Sequence, residues 1–349
     1  MVTASTAGRP RLPLTVIGGF LGAGKTTLLN RLLRESQGRR WAVLVNDFGA
    51  LNIDAELVAS NAGDTIALTN GCVCCSIGDD LTAALIEVLE SPAPFDAVVI
   101  EASGVSDPWR IAQVALADPA LSLDGVIVLV DASACMAHIA DPLLTDSLQR
   151  QIKAADLVVL NKTDLVDAEE RQRVRDWLAS VASKTPRLET TQASMPLPLL
   201  SGSALSLDRR AQVNAGIDAD GVPNRAAYAG ESEKEHGHSG RHDHDHGDLF
   251  ETWSCQPACE FSAKVLRALL RDMPAGVLRL KGVLRTDEHD WAELQFAGRH
   301  GSLRKAFAPP VGGAAVVAIG LRHQLPSQAL SATFSANSQD VACGLPGAS

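Results

Sequence analysis

The stretch 14-LTVIGGFLGAGKTTLLN-30 runs from an apolar segment into a glycine-rich loop and then into a helical pattern. Within it, 19-GFLGAGKT-26 matches the pattern G-x-x-x-x-G-K-[ST], whose glycines let backbone N–H groups wrap a phosphate. A chance glycine-rich turn is the alternative, and the flanking strand and helix patterns disfavour it. The stretch therefore predicts the first strand, phosphate-binding loop and helix of an α/β domain.

The side chains of this loop have separate roles. Lys25 is placed to reach the outer phosphates, and the hydroxyl of Thr26 to ligate Mg²⁺, while the start of the following helix adds partial positive charge. The residues predicted to hold the nucleotide here are Gly19, Gly22, Ala23, Gly24, Lys25, Thr26 and Thr27.

Further short apolar runs follow at regular intervals along the chain. Runs that are apolar throughout suit strands buried on both faces of a parallel sheet with crossover helices. They predict a doubly wound, mostly parallel α/β domain of the P-loop GTPase type over residues 1–212. The runs are 41-WAVLVND-47, 65-TIAL-68, 96-DAVVIEA-102, 124-DGVIVLVD-131 and 156-DLVVLNK-162.

The composition changes after this domain. Residues 213–249 contain few aliphatic side chains and many Gly, Asp and His, so they cannot bury enough apolar surface to offset the entropy of ordering them. A flexible linker is predicted there. The patterns of a helix and several strands then predict a small α+β C-terminal domain over 250–332, and a disordered tail over 333–349.

Overall composition excludes several classes of protein. Of the 349 residues 46% are hydrophobic and 21% charged, values typical of a globular chain. The net charge of −10 argues against binding nucleic acid through the overall field. No apolar run is long enough to cross a membrane, so we expect a cytoplasmic location, where thiols stay reduced.

The tetrapeptide 161-NKTD-164 predicts which base is bound. The carboxylate of Asp164 can accept from both N–H donors on the guanine edge, where adenine offers no matching pair. Asn161 can contact the opposite edge, and the aliphatic stem of Lys162 can lie along the ring. Alone, the tetrapeptide could merely cap the next helix, but about 135 residues after the phosphate loop it favours GTP over ATP.

A carboxylate ends one of the predicted strands. Glu101 follows 97-AVVI-100, where it would face the metal or the attacking water of a phosphoryl-transfer site. We predict Glu101 and Lys25 as the catalytic residues, and Asp47 as a second candidate ligand for Mg²⁺. The alternative for Glu101 is a carboxylate that caps the following turn.

Three of the seven cysteines lie together, Cys72, Cys74 and Cys75 in 69-TNGCVCCSIGDDL-81. Soft thiolates suit Zn²⁺, Co²⁺ or Cu⁺ better than Mg²⁺. The spacing C-x-C-C cannot supply all four ligands of a closed site, which leaves a position open for transfer of the metal to another protein. Three alternatives remain: small core residues, a redox pair, or a structural zinc site with a remote fourth ligand.

Other possible ligands are more scattered. Cys255 and Cys259 are predicted to be packing residues. The linker carries histidines that could capture Zn²⁺, Ni²⁺ or Co²⁺ weakly, or could simply be solvated. These are His236, His238, His242, His244 and His246.

The motifs together resemble the CobW-type metallochaperone GTPases, the zinc-chaperone branch of the phosphate-loop GTPases that also includes nickel-insertion proteins for urease and hydrogenase. The resemblance covers roughly residues 13–332. It rests on GGFLGAGKTTLLN, NDFGALNID, LTNGCVCCSIGDDL, VVIEASGVSDP and VVLNKTDL in this order, and on 278-LRLKGVL-284 and 318-AIGLRH-323 in the C-terminal domain.

This resemblance implies a slow GTPase that loads a transition metal on the C-x-C-C loop and delivers it to a client metalloprotein. Lys25, Thr26, Asn161 and Asp164 would bind Mg-GTP, and Glu101 would serve the Mg²⁺ and water site. The thiols of Cys72, Cys74 and Cys75 would hold the cargo, with zinc preferred. The C-terminal domain would cover the site or recognise the client, and the chain would be a monomer or a homodimer.

Some positions depart from the family pattern. Where the family commonly has N-E-F-G-E, this chain has Asp47 and Ala50, and where it has E-T-S-G, this chain has Ala102. Three rival hypotheses remain. The first is a cobalt or iron cargo, for cobalamin synthesis or a nitrile-hydratase-like enzyme. The second is a regulatory GTPase whose thiols sense redox state, and the third is a purely structural zinc protein, whose first domain chelators would unfold.

Overall fold

A computed structural model describes residues 10–35, 39–45, 66–68, 79–102, 104, 106–200, 250–310 and 312–334. The predicted linker 213–249 and most of the predicted tail lie outside these residues. Within the described residues, no helix combines the length and hydrophobicity needed to span a membrane.

The first domain is built on a parallel sheet of seven strands in the order β3-β2-β4-β1-β5-β6-β7. This order confirms the predicted doubly wound α/β fold. The strands are β1 (Leu12–Gly19), β2 (Trp41–Val45), β3 (Ile66–Leu68), β4 (Ala97–Glu101), β5 (Leu121–Asp131), β6 (Leu157–Asn161) and β7 (Arg187–Glu189).

The buried strands explain the unbroken apolar runs. Every residue of β1, β2, β4 and β6 is buried, because helices cover both faces of the sheet. Two details differ from the prediction. The strand β5 begins at Leu121 rather than at Asp124, and β7 was not predicted, because three residues with the pattern R-L-E give no recognisable periodicity.

Aspartates begin several of the crossover helices. The side chains of Asp107, Asp141 and Asp167 accept hydrogen bonds from the free N–H groups of the first turn, at 2.9, 2.8 and 2.8 Å. The helices are α1 (Lys25–Arg34), α2 (Asp79–Glu90), α3 (Pro108–Ala117), α4 (Ala132–Ala140), α5 (Pro142–Ala154), α6 (Ala168–Val181) and the short α7 (Leu197–Leu200).

The C-terminal domain is a mainly antiparallel sheet in the order β12-β11-β10-β13-β8, with β9 parallel to the end of β10. Two helices, α8 (Ala263–Arg271) and α9 (Ser327–Phe334), complete it. This confirms the predicted α+β character. The strands are β8 (Phe250–Cys255), β9 (Glu260–Phe261), β10 (Val277–Thr286), β11 (Ala292–Ala297), β12 (His300–Lys305) and β13 (Ala315–Leu321).

The predicted start of the disordered tail at residue 333 is wrong by two residues. The helix α9 continues to Phe334, whose ring is fully buried. The Phe334 ring centroid lies 5.8 Å from the ring centroids of both Trp253 and Phe261. The helix is therefore held against the sheet to its last turn by aromatic packing.

The two domains share a hydrophobic cluster. Ile127, Leu157 and Leu199 of the first domain pack in the same cluster as Leu278 and Ile319 of the second. Burial of apolar surface on both sides therefore stabilises the relative position of the domains.

Charged groups lie beside this cluster. The buried guanidinium of Arg279 in β10 pairs with the buried carboxylate of Asp124 in β5, and its Nη1 donates to the carbonyl oxygen of Leu199 at 3.1 Å. A buried ion pair between domains is sensitive to the loss of either partner.

A second polar contact joins the domains near α3. The Oδ1 atom of Asp156 lies 3.4 Å from His300 Nε2 and 3.7 Å from Arg299 Nε. Burial raises the pKa of Asp156, although His300, the N–H of Val126 and Arg299 all act in the opposite direction. The His300 ring also stacks on Trp109, with centroids 5.2 Å apart. The C-terminal domain therefore contacts the helix that follows the Glu101 segment.

Candidate nucleotide site

The predicted nucleotide residues meet at one edge of the parallel sheet. The strand registers pair Ile17 with Glu101 and Asp131 with Asn161, so the carboxyl ends of β4, β1, β5 and β6 lie side by side. Ligands of open α/β sheets bind at the carboxyl ends of the strands. The topology thus assembles residues that are far apart in the chain.

The phosphate loop connects β1 to α1. Gly19, Gly22 and Gly24 all have positive φ angles, at 131°, 78° and 105°. At Gly24, an added Cβ would lie 2.4 Å from Asn161 Nδ2, so the loop can approach the base-binding segment only because this residue has no side chain. Glycine-rich loops with left-handed backbone angles can form anion-binding nests.

Lys25 and Glu101 form a buried pair beneath the loop. Lys25 Nζ lies 3.6 Å from Glu101 Oε1 and donates to the carbonyl oxygen of Phe20 at 3.3 Å. Both side chains are less than a tenth exposed. The two predicted catalytic residues are therefore held together, while Thr26 is half-buried and Thr27 exposed at the start of α1.

Asn161 makes contacts other than the predicted one with the base. Its Nδ2 donates to the carbonyl oxygen of Ala23 at 2.9 Å, and its Oδ1 accepts from the N–H of Ala193 at 2.8 Å. The side chain is buried, so both ends of the amide must be satisfied by protein groups. Asn161 joins the phosphate loop to the turn after β7.

Lys162 also has a protein partner. It has a left-handed backbone with φ of 61°, and its Nζ lies 2.6 Å from Asp131 Oδ2. Burial alone would raise the pKa of Asp131, but hydrogen bonds from Lys162 and Ser133 outweigh burial and lower that pKa. The Lys162 ammonium group is therefore held by Asp131, while the side chain of Asp164, two residues on, is exposed.

Several residues at this edge of the sheet were not predicted from the sequence. One of them is Asp131, which pairs with Lys162. Its position at the end of a predicted strand, like that of Glu101, was a signal that could have identified it. The turn after β7 was missed because its contribution is a backbone N–H. There, Gln192 and Ala193 have positive φ angles of 51° and 50°, and Ala193 binds Asn161. Such strained residues cluster at functional sites.

The structure does not describe the predicted transition-metal ligands or Asp47. These residues, outside the described ranges, are Asp47, Cys72, Cys74 and Cys75, and the linker histidines His236, His238, His242, His244 and His246. Within the residues that the structure does describe, no group of three or more His, Cys, Asp or Glu side chains could hold a metal ion.

The three cysteines among the described residues have packing roles. Cys135 is buried in the core of the first domain, and Cys255 and Cys259 lie against the core of the second. Burial, with the nearby charge of Asp131, raises the pKa of Cys135 to about 12. Burial, with Cys259 nearby, raises the pKa of Cys255 to about 12 as well. Neither is a good thiolate ligand near neutral pH.

We expect Cys135 and Cys255 to resist alkylation of the native protein at pH 8. With a pKa of about 12, only about one thiol in ten thousand would be ionised at that pH. Peptide mass spectrometry after a timed iodoacetamide pulse would measure this, with urea-unfolded protein as the control. Labelling of either cysteine as fast in the native as in the unfolded protein would contradict the expectation.

The fold and the site define a class of protein: a phosphate-loop nucleotide-binding protein with a second, C-terminal domain. Residues 13–189 match the CobW/HypB/UreG nucleotide-binding domain, and residues 250–337 match the cobalamin synthesis protein cobW C-terminal domain. The chain belongs to this family, which confirms the resemblance noted in the sequence.

Three curated relatives are similar to this chain in sequence. Zinc chaperone CobW from a Sinorhizobium species is 32% identical over 323 residues, which cover 84% of this chain and 83% of the relative. Zinc chaperone YjiA of Escherichia coli is 37% identical, over 54% of this chain and 60% of the relative. Zinc-regulated GTPase metalloprotein activator 1 of Schizosaccharomyces pombe is 35% identical, over 52% of this chain and 46% of the relative.

Proposed function

We propose that this chain is a GTP-dependent metallochaperone that carries zinc on Cys72, Cys74 and Cys75 and delivers it to a client metalloprotein. The observation that supports the nucleotide part best is the arrangement of Lys25, Glu101 and Asn161 around the phosphate loop. The zinc part rests on the C-x-C-C sequence and on the names of the relatives, two of which are zinc chaperones.

The residues at the sheet edge suit Mg-GTP. Lys25 would reach the phosphates. The hydroxyl of Thr26 and the carboxylate of Glu101 are hard oxygen ligands of the kind that Mg²⁺ prefers. The bound Mg²⁺ would neutralise charge that develops on the phosphates. Asp47 would be a further ligand.

The chemistry of hydrolysis requires little more than positioning. Phosphoryl transfer needs an aligned water and stabilisation of charge, and no protein nucleophile. The buried carboxylate of Glu101, held 3.6 Å from Lys25, would orient the water. No further activating group is needed for a slow GTPase, and a client protein would be the natural partner to accelerate it.

Nucleotide and zinc would be coupled through the segment between β2 and Glu101, which contains the three thiols. Binding of GTP would favour the arrangement with high affinity for zinc, and hydrolysis would release the metal. Because coupling is reciprocal, zinc would tighten GTP by the same factor.

An anaerobic competition titration tests this function. Zn²⁺ or Co²⁺ would be titrated against a chromophoric chelator, with Mg²⁺ and either a non-hydrolysable GTP analogue or GDP. The protein would be the wild type or a variant that combines Cys72→Ser, Cys74→Ser and Cys75→Ser. The matched control is the double variant Cys255→Ser and Cys259→Ser, which removes thiols with packing roles.

We expect wild-type affinity for Zn²⁺ to be at least about tenfold higher with the GTP analogue than with GDP, a coupling within the usual range. The triple variant should lose this high affinity, and the control variant should keep it. Equal affinity with both nucleotides would contradict the carrier mechanism. A preference for Co²⁺, after correction for the general order of metal affinities, would change the cargo.

A further inference from the structure

The side chain of Gln151 joins two segments of the nucleotide site. It projects from α5, has no exposed surface and uses both ends of its amide. The N–H of Gly19 donates to its Oε1 at 3.0 Å, and its Nε2 donates to the carbonyl oxygen of Gly104 at 3.0 Å. Since one partner can only donate and the other only accept, a single orientation of the amide satisfies both.

The two glycines belong to functional segments. Gly19 opens the phosphate loop, and Gly104 follows Glu101 by three positions. An added Cβ at Gly104 would lie 2.9 Å from the backbone nitrogen of Leu21, so the two backbones are in direct contact. The ladder between β1 and β4 holds the chain as far as Ala102, whose N–H donates to the Ile17 carbonyl oxygen at 2.8 Å. The hydrogen bond from Gln151 holds the chain again at Gly104, two residues after Ala102.

We propose that Gln151 is a positioning residue for GTP hydrolysis, which holds the segment after Glu101 against the phosphate loop. This inference rests on the proposed GTPase function. Reacting groups must be aligned to within a fraction of an ångström for phosphoryl transfer, and a segment released from its anchor loses that alignment. Gln151 acts through Gly19 and Gly104 and need not touch the nucleotide.

The Gln151→Met variant removes both hydrogen bonds and keeps a side chain of similar length. We expect kcat for GTP hydrolysis to fall about tenfold and KM for GTP to change less than about threefold, because alignment is lost while the phosphate loop itself is retained. The Gln149→Met variant is the matched control. Gln149 lies on the same helix and is partly exposed, so its replacement should leave kcat unchanged.

The Gln151→Glu variant separates positioning from packing. Its carboxylate can still accept from Gly19, but it repels the carbonyl oxygen of Gly104. The protonated acid can donate to that oxygen as the amide does. Burial raises the pKa of a carboxyl group. We therefore expect the ratio of kcat for this variant to kcat for wild type to rise as pH falls from about 8.5 to about 6. The same ratio for Gln151→Met should not change with pH.

Hydrogen exchange gives a readout that does not need catalysis. In Gln151→Met without added nucleotide, backbone amides of residues 101–110 should exchange at least about tenfold faster than in wild type or in Gln149→Met. If the wild type hydrolyses no GTP, the proposed function fails, and the exchange rates still decide whether Gln151 holds the segment.

Three results would overturn the inference. They are unchanged exchange of residues 101–110 in Gln151→Met, a kcat of Gln151→Met within about twofold of wild type, or a kcat of Gln151→Glu that stays at the same fraction of wild type as pH falls. A loss confined to KM would also overturn it, since that would assign Gln151 to nucleotide binding.

Discussion

The Asp164→Asn variant is expected to lose most of its affinity for GTP and to bind xanthosine triphosphate instead. A carboxylate accepts from both donors of the guanine edge, whereas an amide accepts from one and directs its own N–H group at the other. Xanthine has one donor and one carbonyl oxygen on the same edge, which matches the amide. Loss of two charge-assisted hydrogen bonds should lower GTP affinity by about 100-fold or more.

Protein contacts fix the residues around Asp164, which makes this prediction testable with a single replacement. Asp164 is exposed, but its neighbours are fixed: Lys162 pairs with Asp131, and the hydroxyl of Thr163 donates to the Thr190 carbonyl oxygen at 3.2 Å. The turn is therefore placed independently of the Asp164 side chain, and its replacement should change recognition without moving the backbone.

Titration with fluorescent GTP and xanthosine triphosphate analogues would measure the change. The matched control is Asp167→Asn, since Asp167 is a nearby exposed aspartate that caps α6 and asparagine caps helices equally well. That variant should bind GTP as the wild type does. Retention of GTP affinity within about threefold by Asp164→Asn would contradict the guanine assignment.

Residues whose role follows from local sequence were predicted. Lys25 belongs to a motif with fixed spacing, and Glu101 ends an apolar strand, so the parallel fold was enough to bring them to one edge. The observed distance of 3.6 Å between Nζ and Oε1 agrees with that expectation. Asn161 was predicted at this edge of the sheet, and its contact with the base stays a prediction. Its hydrogen bonds to Ala23 and Ala193 were not predicted, because the burial of its side chain could not be foreseen from a strand-end position.

Contacts between distant residues could not be predicted. Gln151 lies 132 residues from Gly19, and a glutamine in a mixed helical segment gives no sign of burial. Ala193 contributes only a backbone N–H, which every residue except proline possesses. Arg279 lies in a strand of the second domain, and a charged residue there suggests a solvent-facing position. Its side chain is buried against Asp124 and Leu199 of the first domain, and the sequence gives no sign of these contacts.

The Arg279→Met variant is expected to be the most destabilising replacement at the domain interface. It removes the cation beside the buried Asp124 carboxylate and the donor to the Leu199 carbonyl oxygen. Removal of one member of a buried ion pair costs about 3–5 kcal/mol. Denaturant unfolding of the full chain, followed by tryptophan fluorescence, would measure the loss.

Two further variants distinguish lost pairing from lost packing. Adding Asp124→Leu to Arg279→Met should recover more than half of the lost stability, because a hydrophobic pair of similar size avoids burying a lone charge. Arg285→Met, at an exposed arginine of the same strand, should unfold at the wild-type midpoint.

The slope of the transition carries separate information, because it scales with the surface exposed on unfolding. An unchanged slope with a lower midpoint would mean that both domains still unfold together. A shallower or two-step transition would mean that this ion pair couples the domains. A wild-type midpoint for Arg279→Met would show that the hydrophobic cluster alone holds the domains together.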